Sequence, residues 1–265
     1  MNNILVPVGS SKNAESHLQY AVDFARAFGA KLYVVQVYNV YTKAGTMIKI
    51  DHILERESNA FLQRHVSKID TSGVEVVTRS LKGKFIDTLE LACEKLEIDL
   101  ILVEPRTNSI RDEVYLGKTS GKIIKQTTIP ALIVPEGYKF EKIDTILMAI
   151  KSAIINKAEA LKPLKDIKSK FNSVLHLLLV KTPYHKEGDF DVNDDLQSLL
   201  ESTTETENPS TFQGVLEHYK DTNPNLLVVV RRNRGFFTKL WEKNTILKKD
   251  FHMTKMPVLV LQVMK

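Results

Sequence analysis

Residues Leu100–Pro135 read LILVEPRTNSIRDEVYLGKTSGKIIKQTTIPALIVP, and the pattern returns without a gap from Leu227 as LVVVRRNRGFFTKLWEKNTILKKDFHMTKMPVLVLQ. Leu227–Val230 falls on Leu100–Val103, and Pro257 falls on Pro130. The start of the chain repeats as well: ILVPVGSS at Ile4–Ser11 comes back as ILMAIKSA at Ile146–Ala153. An internal repeat of this kind restricts the fold more than composition does, because one architecture must serve twice. We expect a first copy over 1–137 and a second over 142–265, joined through the polar stretch Glu136–Glu141. A chain of 265 residues gives each copy enough length to bury its own core.

Within the first copy, short apolar runs alternate with helical patterns. Asn3–Val8 is too short for a helix and carries a proline near its end, so it reads as a buried strand. Ser10–Ser11 stand where a helix cap belongs, and Ala14, Leu18, Ala21, Val22 and Ala25 recur at helical spacing until Gly29. KLYVVQVY at Lys31–Tyr38 is a second strand, mostly apolar as a central parallel strand is. A helix from about Ile48 to Ile69, a strand over Val74–Ser80, a helix over Phe85–Leu96, the strand Leu100–Val103, a helix from Gly117 to Gln126 and the strand Ala131–Pro135 follow. The second copy reads as strand Thr145–Ile150, helix Asn156–Lys170, strand Val174–Val180, a polar loop over Thr182–Asp195 running into a short helix, helix Phe212–Lys220, strand Asn225–Val230, helix Thr245–His252 and strand Pro257–Val263. Ser202–Ser210 (STTETENPS) is the stretch of lowest complexity and is expected to be mobile. This copy is the shorter one, and the loss is expected in its second helix and third strand. Parallel strands need helix-length crossovers, so the alternation predicts an α/β fold: two tandem five-stranded parallel sheets with helices on both faces. Ligands of such sheets sit at the C-terminal strand ends, here Pro7–Ser10, Val37–Tyr38 and from Glu104 onward.

Several function classes lose support at this level. One cysteine, Cys93, excludes an internal disulfide framework and a thiolate zinc cluster, and reads as a small core residue on a helix face. No run approaches the length of a membrane span, and the first residues enter a strand with no basic-then-apolar leader, so a cytoplasmic, membrane-free protein is expected. The seven histidines are scattered without metal-ligand spacing and read mostly as surface residues; His176, inside an apolar strand, reads as a hydrogen-bonded core histidine. Gly117–Lys118–Thr119 spells the close of a phosphate-binding loop, but Asp112 stands where that loop needs its first glycine. No nucleophile–base pair assembles, so catalysis is not expected.

The set ILVPV-x-S-S, the β–α alternation, a loop leading to G-x-T at a helix start and a P-x-L-x-V closing strand resembles the universal stress protein family, over both halves. The resemblance implies a fold related to nucleotide-binding alpha hydrolases, with ATP held in many members by a Gly-x-x-Gly, nine-residue, Gly-Ser/Thr signature. It also implies pairing through the last strand, within one chain for tandem members. Carried over, the signature falls on Glu104, Thr107, Gly117 and Lys118 in the first copy. In the second it falls on Arg231, Arg234, Asn244 and Thr245. An acidic residue that members often place after the first strand falls on Gly9 and on Lys151. Glycines there let backbone N–H groups approach phosphate, and Glu104 brings a like charge instead, costing roughly 1 to 4 kcal/mol at about 4 Å.

What survives in the first copy is a degraded adenine-nucleotide site: Pro7, Val8, Gly9, Val37 and Val103 as walls, with Gly117, Lys118, Thr119 and Ser120 opening a helix whose N–H groups and dipole favour an anion. If a cofactor is held, the resemblance implies ATP or another adenine nucleotide; a different small anionic ligand stays open. The alternative is an interaction scaffold that binds a protein partner through the basic and aromatic segment of the second copy. There Arg231, Arg232, Arg234, Lys239, Lys243, Lys248 and Lys249 surround Phe236, Phe237 and Trp241. No nucleic-acid motif accompanies it, and a net charge of +5 does not demand one, so nucleic acid is not the expected partner. The apolar closing strands Ala131–Val134 and Val258–Val263 would aggregate if left at an edge. They are expected to pair with each other inside the chain, a homodimer of tandem chains remaining open.

Overall fold

The computed structural model describes residues 1–9, 11–39, 47–105, 117–155, 157–232 and 256–263, with backbone alone at 47–50 and 117–118. Contacts divide the chain into two compact units.

The first unit is built on four parallel strands in the order β3-β2-β1-β4: β1 Asn3–Pro7, β2 Lys31–Tyr38, β3 Val76–Lys82 and β4 Leu100–Val103. Ile4 lies beside Leu32 on one side and Leu100 on the other, so the most apolar runs take the centre. The crossovers are α1 (Ala14–Phe28), α2 (Met47–Val66) and α3 (Phe85–Lys95), and α4 (Gly117–Gln126) follows β4. The five helical positions read from the sequence in α1 are all buried. The helix stops at Gly29 because its φ of 65° lets the Gly29 N–H turn back to the carbonyls of Ala25 and Arg26. Its start differs from the sequence expectation. Asn13 occupies the cap position, and Ser11 Oγ accepts from the Asn13 N–H at 3.2 Å, forming a turn before the helix instead of capping it; Ser10 lies outside the described residues. Cys93 is buried on α3, and burial, then Glu90, pushes its thiol up to about 12, so it stays protonated at neutral pH.

The second unit contains β5 (Ala131–Ile133), β6 (Thr145–Ile150), β7 (Val174–Lys181), β8 (Ser202–Glu207), β9 (Leu226–Arg232) and β10 (Val258–Val263), in the order β5-β10-β9-β6-β7-β8. Its neighbouring strands run parallel except β5 and β10, which run antiparallel with Leu132 opposite Leu259. The closing strands of the two sequence copies are therefore paired, and β5 groups by its contacts with the second unit.

Four expectations about this half change. Ser202–Ser210 is not a mobile tract: β8 lies parallel beside β7, and Ser210 caps α7 (Thr211–Thr222) by accepting from the Gln213 N–H. Its polar composition suits a strand that is exposed at most positions, and its threonines suit the pleat. The third strand is thus present, and the shortening falls on the second helix, reduced to α6 (Asp194–Gln197). The helix expected over Asn156–Lys170 instead begins with a 3-10 turn at Ala158–Leu161 and continues as α5 (Lys162–Phe171). Pro163 sits in its first turn, the one part of a helix that tolerates the missing N–H. His176 is hydrogen-bonded as read, to Ser202 Oγ at 2.7 Å, but it is half-exposed and not a core residue.

Packing in this unit is close where α7 crosses the sheet. A Cβ on Gly214 would stand 2.9 Å from Val180 Cγ2 and 3.2 Å from Thr206 Cγ2. We expect Gly214→Val to destabilise the protein by about 1–3 kcal/mol through overpacking, measured by urea unfolding. An unchanged midpoint would show that α7 can ride outward.

Candidate functional site

The first unit holds a cavity of about 290 Å³ at the C-terminal ends of its strands. Each wall follows from the topology. β1 delivers Pro7, then Val8 and Gly9; β2 delivers Gln36 and Val37; β4 delivers Val103, then Glu104. The first turn of α1 contributes Ala14 and His17, α3 contributes Phe85, and α4 contributes Thr119, Ser120 and Ile123, with Ser11 at the rim. Its size is near the lower end of small-molecule pockets.

Seven of the nine residues singled out from the sequence therefore meet around one space: Pro7, Val8, Gly9, Val37, Val103, Thr119 and Ser120. Gly117 and Lys118 form the opening of α4, one turn from that space; the Lys118 side chain and Thr107 lie outside the described residues. Ser120 plays a part the sequence does not disclose. It is 6% exposed, and its hydroxyl donates to the Glu104 carbonyl oxygen at 2.6 Å, clasping α4 to the end of β4. A hydroxyl committed in this way offers a ligand only its acceptor side.

Sequence reasoning overlooks His17, Gln36, Phe85 and Ile123 as lining residues. His17 is 7% exposed, unlike the surface histidines expected. A polar residue on the apolar face of α1, one turn after Ala14, is a signal for it. Gln36 carries a similar signal as the one amide within LYVVQVY. Glu104, placed by the signature where phosphate would lie, is 9% exposed and does line the cavity.

At the strand ends of the second unit, among the described residues, one side chain is turned inward. Arg232, at the end of β9, donates through Nη1 to the Ile154 carbonyl and through Nη2 to the Ser152 carbonyl, each at 2.6 Å. Burial lowers the Arg232 pKa, and Asp189 opposes that shift. Burial alone would raise Asp189, but hydrogen bonding from the Lys186 N–H and from Ser152, with His185 and Arg232 nearby, holds it net below the usual carboxylate range. The Ala153 N–H also donates to the Asp189 carbonyl. Arg232 is thus a structural strut and not an open cation. Of the rest of the basic and aromatic segment, Arg234 and everything to Lys249 lie outside the described residues, as do Asn244 and Thr245. Arg232→Met leaves two carbonyls and Asp189 without their cation, and we expect a loss of about 1–3 kcal/mol in urea unfolding. An unchanged midpoint would make the strut dispensable.

Parallel strands wound with helices, carrying a ligand-sized cavity where the strands end, define a protein of the Rossmann-like α/β class. Comparison with known proteins is more specific. The family model described as the universal stress protein family matches residues 1–135. A universal stress protein of Methanocaldococcus jannaschii is 23% identical over 141 residues, 51% of this chain and 83% of that protein. Among solved structures, a universal stress protein from Archaeoglobus fulgidus superimposes with a TM-score of 0.68 at 18% identity, covering 99% of this chain and 96% of the other. A Pseudomonas aeruginosa structure described as a universal stress protein gives 0.59 at 14% identity, covering 98% and 93%. These last two establish the fold. The chain belongs to the universal stress protein family.

Among the described residues, no helix is long and apolar enough to cross a membrane, and no group of His, Cys, Asp and Glu is arranged to hold a metal ion.

Proposed function

We propose that this chain acts by binding and not by catalysis, and that the cavity at the strand ends of the first unit holds a small molecule of the adenine-nucleoside type. The observation that carries the reading is the convergence of residues from β1, β2, β4, α1 and α4 on one space, seven of them selected from sequence alone. The walls formed by Val8, Val37, Val103 and Ile123 suit a flat apolar ring. Glu104 distinguishes this site from one built for a triphosphate, because it puts an acidic residue in the lining of the cavity while Ser120 turns its hydroxyl proton to a backbone carbonyl. Binding is therefore expected to favour the nucleoside end of a ligand over its phosphates.

Mass spectrometry of molecules released from the purified chain, with thermal shifts against adenosine, AMP, ADP and ATP, tests the reading. A saturable shift of several degrees with adenosine or AMP supports it. No released ligand and no shift with any of the four would sink it, and would leave the scaffold role as the better account. Glu104→Gln is expected to raise affinity for ATP relative to adenosine by about tenfold, the size of one removed like-charge contact. An unchanged ratio would mean the phosphates never approach Glu104.

A further inference from the structure

A flat ligand in the cavity would need a wall group that recognises its polar edge. Gln36 is the amide in the wall, and its side chain is held from behind. Ser58 Oγ, on α2 and 5% exposed, lies 2.7 Å from Gln36 Oε1. Ser80 Oγ, on β3, lies 2.8 Å from Ser58 Oγ and 2.7 Å from Asn59 Oδ1. The four side chains form a single file from the cavity wall to the exposed face of α2.

Counting protons shows what this file can do. Each serine hydroxyl carries one proton, whereas three oxygen–oxygen contacts have to be bridged. If Ser58 donates to Gln36 and Ser80 donates to Asn59, the contact between the two serines has no proton. One terminal amide must therefore turn its NH2 group inward. When Asn59 turns, protons point from Asn59 through Ser80 and Ser58 to Gln36 Oε1, and Gln36 presents its Nε2 donors to the cavity. When Gln36 turns, the order reverses, and Gln36 presents its Oε1 acceptor instead. Asn59 is exposed, so water accommodates either of its orientations.

We propose that Gln36 is the edge-reading residue of the cavity, and that the Ser58–Ser80–Asn59 file lets it serve as donor or acceptor according to what the ligand presents. The proposal rests on the reading that the cavity holds an adenine-type ligand. The class it selects is a flat nucleobase, tolerant of either an exocyclic amino group or an exocyclic carbonyl at the edge facing Gln36. Ser58 is a positioning residue that acts through Gln36.

Adenosine and inosine, which differ in that one group, are the probes, titrated by calorimetry into the full chain and its variants, each first shown to melt cooperatively. The unsubstituted chain is expected to bind both within about threefold. Gln36→Leu is expected to weaken both by about tenfold, the effect of one lost directed hydrogen bond. Gln36→Glu, an acceptor only, is expected to keep adenosine and weaken inosine by about tenfold. Ser58→Ala should lower affinity for both severalfold, yet have no further effect in the Gln36→Leu background, which a merely structural role would not produce. Unsubstituted protein that binds neither probe overturns the ligand reading, and this inference with it. Binding that survives in Gln36→Leu and Gln36→Glu alike overturns the role of Gln36 alone. A preference above about tenfold for one probe in the unsubstituted chain overturns the reversible file.

Discussion

Phe24→Ala is expected to cost the first unit about 3–5 kcal/mol, lowering the urea midpoint of the full chain and making its unfolding two-phased. The ring is fully buried and central to an aromatic cluster. Phe28 stacks at a tilt 4.9 Å away, Phe140 meets it edge-on at 5.9 Å, and Tyr20 lies one turn back at 6.2 Å. Tyr20 also contacts Phe140 at 5.7 Å and Tyr138 at 6.2 Å, so the linker residues fold back onto α1. Removing the ring leaves a cavity that three aromatic neighbours fill only by rearranging together. The effect should reach function as well, because the same helix brings Ala14 and His17 to the ligand cavity at its other end. Phe24→Leu, which keeps most of the volume, is expected to cost much less. Equal midpoints for Phe24→Ala and the unsubstituted chain would mean that the cluster contributes little.

Leu132→Asp is expected to have the largest effect on the second unit, about 4 kcal/mol or more. Leu132 is fully buried in β5, opposite the equally buried Leu259 of β10. A carboxylate there is buried against an apolar strand, and it must either protonate or pull the strand away. Hydrogen exchange followed by mass spectrometry should show amide protection lost along β10 first. Leu132→Val removes one methylene and should leave that protection nearly intact. Persistent protection of β10 in Leu132→Asp would falsify the pairing as the element that holds it.

Much of the fold is legible in the sequence because each apolar run is bounded by residues that stop it. Leu100–Val103 is entirely apolar and entirely buried, and Gly29 ends α1 by the conformation it alone adopts cheaply. The failures share a cause. β8 is made of Ser, Thr and Glu, and a strand exposed at most of its positions carries no hydrophobic period to detect. The turn at Ser11 and the 3-10 start before Lys162 depend on single hydrogen bonds and one ring, below the resolution of pattern reasoning. At the site, the apolar walls were visible because strand ends are predictable from topology. His17 and Gln36 were not, nor was the clasp that Ser120 makes, since these depend on which neighbouring element faces them across the fold.

The antiparallel partnership of β5 and β10 also sets a schedule. Ala131 finds its register with Val260, well over a hundred residues further along the chain. During synthesis β5 leaves the ribosome long before β10 exists, so the apolar edge it will offer to β10 waits unmatched. Contacts of such separation slow folding, because the closure entropy is spent before any gain arrives. This pairing should thus wait until β10 has emerged, and the nascent protein passes through an interval in which strand exchange between neighbouring chains competes with self-completion.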